Sequence, residues 1–165
     1  MSDRIAARWP GDMDVELDDA AWLGVVIAHG IQFRRHLNGG GYVAATATVD
    51  ATAFVGLNAW VYDNACICGN ARICDNAWVC DNARICDNAW VCDNARICDN
   101  AWVGGNARIC DNAWVCGNAR VGVNAWVGGN AWVGDNAWVC CNARVGVNAW
   151  VGGNERVGGN AWVEE

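Results

Sequence analysis

The stretch Asn76-Ala77-Trp78-Val79-Cys80-Asp81-Asn82-Ala83-Arg84-Ile85-Cys86-Asp87 is one six-residue unit written twice, with Trp-Val exchanged for Arg-Ile. Read outward from it, every sixth residue from Val43 to Val163 is Val or Ile, 21 positions without an insertion or deletion. A period of six is neither helical nor a simple alternation, and a strict repeat has to be read before any local motif. Two residues before each Val or Ile sits Ala, from Ala47 to Ala161, with Glu155 the sole exception. Three before it sits Asn, at every position from Asn58 to Asn160.

Successive strand residues point to opposite faces, so the Val or Ile and the Ala two before it share one side. A branched residue beside a small one fills a narrow interior. The Arg/Trp position one before the Val or Ile then faces outward, as does the Cys or Gly one after it. The following Asp-Asn or Gly-Asn pair falls where the strand must turn. Gly and Asn accept left-handed backbone angles there, and Asn can hydrogen-bond locally. A corner every six residues closes after three sides, so the 21 hexads taken in threes make seven coils. Stacked at about 4.8 Å each, they form a rod about 34 Å long. Residues 1–39 lie outside the repeat and are expected to cap one end, because an open coil exposes unpaired backbone. Within them, Asp14–His29 reads as a short helix or Trp22–Ala28 as a strand; periodicity leaves both open.

Runs such as Val79-Cys80-Asp81-Asn82-Ala83-Arg84 resemble the hexapeptide pattern of left-handed parallel β-helix proteins, and the Asn-Ala-x-Val wording is similar to that of bacterial and phage members. The resemblance covers residues 40–165. It implies an all-β triangular solenoid with a left-handed coil, whereas general crossover statistics favour the right hand.

Composition narrows the function. With net charge −7 and pI about 4.6, a general affinity for nucleic-acid phosphates is not expected. All 11 cations are Arg. The apolar run Ala20–Ala28 follows an acidic segment and is too short to span a bilayer, so neither an export signal nor a membrane anchor is expected. The 11 cysteines follow the repeat and are odd in number, which argues against a closed disulfide framework and for reduced thiols in a cytoplasmic setting.

Many proteins that this chain resembles are acyltransferases, which use a coil or loop histidine as base, projecting loops and a C-terminal helix. Here the only histidines are His29 and His36, both outside the coils, and the coils carry no loop insertion. The γ-type carbonic anhydrases need three histidines for zinc. No catalytic residue, cofactor or metal site is therefore assigned, and an acyltransferase relative whose site forms only between subunits is the alternative. A further alternative is soft-metal binding on the cysteines, which fall into columns eighteen residues apart: Cys80–Cys98–Cys116, Cys74–Cys92–Cys110 and Cys68–Cys86. Gly occupies the same row elsewhere, so a small filler also suffices there. Stacked aspartates such as Asp63, Asp81 and Asp99 read as solvated corners. Charged Glu155, Glu164 and Glu165 at the far end are expected to oppose end-to-end stacking.

The outward Trp row is the most suggestive feature. On two sides Arg and Trp alternate from coil to coil, which places guanidinium groups between indoles for cation–π stacking. The remaining side reads Tyr42, Trp60, Trp78, Arg96, Trp114, Trp132, Trp150, with Trp at two positions where strict alternation demands Arg. Trp and Arg dominate binding hot spots, and monomers seldom leave a flat aromatic strip in water. The expected partner surface is Trp60, Trp78, Arg96, Trp114, Trp132 and Trp150, and the expected partner is another copy, by lateral association.

Overall fold

In the computed structural model, which describes residues 8–9, 13–14, 25–28 and 30–164, each hexad contributes a short strand followed by a corner. The strands assemble into three parallel sheets, and no helix occurs among the described residues. The first side runs from Tyr42–Ala44 to Trp150–Val151, the second from Phe54–Val55 to Trp162–Val163, and the third from Thr48–Val49 to Arg156–Val157. The second and third sheets each hold seven strands, one per coil. Every strand pairs with the one eighteen residues on: Trp78 with Arg96, Arg72 with Trp90, Arg84 with Trp102. The triangular solenoid expected from the period is thus the architecture observed.

The interior is a column of Val, Ile and Ala. From Ala53 to Val151, every Ala and every Val or Ile of the two inward rows is fully buried or nearly so. Burying one such branched side chain contributes about 1.5–3 kcal/mol. The pattern ends at the last coil, where Glu155 and Ala161 are exposed and Val157 and Val163 only half-buried.

The corners correct one expectation. The left-handed residue is the Asp or Gly, not the Asn: the eight aspartates from Asp63 to Asp135 that hold a corner have φ between 53° and 62°. Asn takes a positive φ only at Asn124, Asn142 and Asn148, where the preceding residue is Val123, Cys141 or Val147. Most Asn side chains of the coils, Asn124 and Asn142 among them, bond to the next coil rather than locally. Asn100 Nδ2 donates to Asn118 Oδ1 at 3.3 Å and Asn118 Nδ2 to Asn136 Oδ1 at 3.1 Å; matching ladders climb the other two corners.

At the N-terminal end the direction reverses. β1 (Arg8–Trp9) pairs antiparallel with β2 (Met13–Asp14). Then β3 (Val25–Ala28), β4 (Ile31–Arg35) and β5 (Tyr42–Ala44) form an antiparallel run that extends the first sheet. Of the two readings of the 14–29 segment, its described part Val25–Ala28 is a strand; residues 15–24 and His29 lie outside the described residues. The loop after β4 covers a second edge: Val55 N donates to Asn38 O at 3.0 Å and Gly41 N to Val55 O at 2.9 Å.

Candidate functional site

The outer face of the first side is set by how the indoles lie. Trp102, Trp126 and Trp132 each sit two residues before a Gly on the same face, and the ring folds down over that glycine. A Cβ at Gly134 would fall onto the Trp132 ring, and one at Gly104 would lie 2.6 Å from Trp102 Cζ2. Glycine in this row therefore does more than fill space, because its missing side chain makes room for the ring. At Trp114 the indole N–H instead finds a sulfur of the preceding coil: Nε1 donates to Cys98 Sγ at 3.1 Å. Sequence reasoning missed both couplings, although the two-residue offset from Trp to Gly was the visible trace of the first and the sixteen-residue offset from Cys98 to Trp114 that of the second.

Five of the six residues expected on the partner surface lie on the outer face with some exposure. Arg96 is exposed, Trp114 and Trp150 are 44% and 67% exposed, and Trp78 and Trp132 are half-buried. Trp60 is the correction. It is only 4% exposed, stacked on Tyr42 at 4.1 Å and met edge-on by Phe33 at 5.1 Å. Phe33 belongs to β4, so the antiparallel extension reaches the outer face of the second coil and shuts Trp60 off from solvent. The solvent-facing part of the strip begins at Trp78. From Trp114 through Trp132 to Trp150 it is uninterrupted Trp on three consecutive coils, with the last two rings 5.1 Å apart.

Cation–π stacking occurs on all three sides. Arg72 lies 5.2 Å from the Phe54 ring centre and 5.5 Å from that of Trp90, and Arg108 sits 5.5 Å from Trp90 on its other side. Arg96 lies over Trp78 at 5.7 Å and Arg156 over Trp138 at 5.3 Å. The second side also carries a groove of about 830 Å³, lined by Trp90, Arg108, Trp126 and Arg144 with Asn106 and Asn124 along its rim.

The acidic corners have a backbone role. Asp99 Oδ2 accepts the Gly117 N–H at 2.9 Å, Asp111 the Gly129 N–H at 2.9 Å, and Asp81 the Asp99 N–H at 3.2 Å. Each carboxylate thus satisfies an amide of the coil above, which accounts for Asp at a left-handed position.

All 11 cysteines are free thiols. Burial pushes the thiols of Cys86, Cys92 and Cys110 up to about 12 and that of Cys116 to about 11; neighbouring Asp93 and Asp111 add to the rise at Cys92 and Cys110. Cys98 is the opposite case. Hydrogen bonds from the Cys80 thiol and then from the Trp114 indole hold it below the ordinary thiol value, against the effect of burial. Cys80, Asp81 and Cys98 bring two sulfurs and a carboxylate oxygen within 4.8 Å of one another, as do the single sulfur and two carboxylates of Asp93, Cys110 and Asp111.

His36 is buried with Nε2 3.0 Å from Ala53 O, an ordinary structural position in the loop after β4. No family model, no curated protein and no solved structure matches this chain.

Proposed function

We propose that the chain is a non-catalytic, rigid β-solenoid that self-associates laterally through the first side. The observation that carries this reading is the unbroken Trp114–Trp132–Trp150 strip, half-open to solvent on a face whose strands pair in register. A second copy is the occupant that fits it. A two-fold axis passing through Trp114 sets Arg96 opposite Trp132 of the second copy and Trp78 opposite its Trp150, so the one Arg of the strip meets an indole in both halves. Such self-complementarity is what an isologous dimer requires. A guanidinium placed over an indole contributes about 0.5–1 kcal/mol where exposed and about 2 when desolvated.

In this reading the coil winds left-handed, following the resemblance of its repeats to left-handed hexapeptide-repeat proteins, and the protein works in a reducing, cytoplasmic setting. The lack of a coil histidine supports a non-catalytic role. The test is light scattering on the wild type and on Trp114→Ser with Trp150→Ser, the two most exposed rings of the strip. The wild type is expected at a multiple of the chain mass and the variant at the chain mass, with unchanged far-ultraviolet circular dichroism. Equal masses for the two proteins would remove the proposal.

A further inference from the structure

The search for sites outside the aromatic strip leads to the corner that follows it. There the first side's strands end in the column Tyr62, Cys80, Cys98, Cys116, one residue per coil. Cys80 and Cys98 are half-buried and lie one strand apart in adjacent coils. The corner residue after Cys80 turns left-handed, with Asp81 at φ 58°, and this swings its carboxylate alongside both sulfurs. Cys80 Sγ donates to Asp81 Oδ2 at 3.3 Å, and the three donor atoms lie within 4.8 Å of one another.

We propose that Cys80, Cys98 and Asp81 form a binding site for one thiophilic d10 cation of the zinc and cadmium type. Two sulfurs select a soft ion, and the carboxylate completes three protein ligands, which leaves a fourth position to water. Metal–sulfur bonds of about 2.3 Å fix the spacing of a tetrahedral ligand set, and rotation about the Cα–Cβ bonds of Cys80, Cys98 and Asp81 is the movement that adjusts the three donors to it. The Trp114 indole, 3.1 Å from Cys98 Sγ, is the outer group that orients this sulfur and shields its second face. The neighbouring column is a built-in comparison. Asp93, Cys110 and Asp111 offer one sulfur and two exposed carboxylates, a harder and weaker set for the same ion.

This inference stands apart from lateral association. Its test uses the full chain, fully reduced, titrated with cadmium ion while the ultraviolet thiolate-to-cadmium charge-transfer band is recorded. One equivalent is expected to bind ahead of all others. Cys98→Ser and Cys80→Ser should each weaken that first equivalent at least tenfold and reduce the band, and Asp81→Asn should weaken it while keeping the band. Cys92→Ser, in the second column, should leave it unchanged. Survival of the first equivalent in Cys98→Ser would overturn the site, as would equal losses in Cys92→Ser and Cys98→Ser or the absence of a charge-transfer band in the wild type. Circular dichroism on each variant separates loss of ligand from loss of fold, which a half-buried Cys→Ser exchange is expected to keep.

Discussion

At the corners, each residue type is explained by what its backbone must do. An L-residue in the left-handed region costs about 1–2 kcal/mol, which glycine avoids. Aspartate accepts that cost and offsets it with a carboxylate that caps an amide one coil on, as Asp99 does for Gly117. Val123 and Val147 have neither remedy. Both are β-branched, more than half exposed, and held at φ 46° and 33°. Val123→Asp should therefore raise stability by about 1 kcal/mol, because a residue suited to the left-handed angle replaces one that opposes it. Chemical denaturation checks this, and an unchanged or lowered midpoint would show that the corner carries no strain.

Among the elements, two-residue strands would be unstable alone, and stacking makes them persist. Each is joined to its neighbours by backbone bonds, by an inward pair of apolar residues and by an outward pair of Trp or Arg with Cys or Gly. The thiol rows give this stacking a pH signature. Cys92 and Cys110 titrate near 12 in the folded chain, above the ordinary thiol value of 9.0, because burial and adjacent carboxylates disfavour the thiolate. The unfolded chain loses those protons first, so the folded state binds more protons between the two values and its stability falls as pH rises. Full stability from these groups is present below pH 9 and is lost on approach to about 12. Urea midpoints measured across this window should decline, and Cys92→Ser with Cys110→Ser should flatten the decline; equal slopes would place its cause elsewhere.

For the molecule as a whole, contacts between coils are nearest-neighbour, so stability propagates along the axis. The middle coils bury both inward rows completely, whereas the last coil leaves Ala161 exposed and Val157 and Val163 half-buried. Amide exchange should consequently be slowest around Ile97 to Val115 and grow faster coil by coil toward Val163. Uniform protection along the rod would instead indicate a single all-or-none unit.

The three-sided solenoid was legible in the hexad because its causes are local. An Ala and a branched residue two apart on one face, followed by a residue that tolerates a left-handed turn, define a strand and a corner, and strict repetition extends them to a rod. The columns of Cys, Asp and Trp followed from the same arithmetic, since eighteen residues return the chain to the same side. Three features depended on groups that meet only in space. The burial of Trp60 came from Phe33, a residue outside the repeat whose approach no periodicity encodes. The laying of the Trp102 and Trp132 rings over Gly104 and Gly134, and of the Trp114 N–H on the Cys98 sulfur, depended on side-chain rotation. The convergence of Cys80, Cys98 and Asp81 depended on a left-handed φ at one corner, a backbone angle that hydrophobic patterning leaves open.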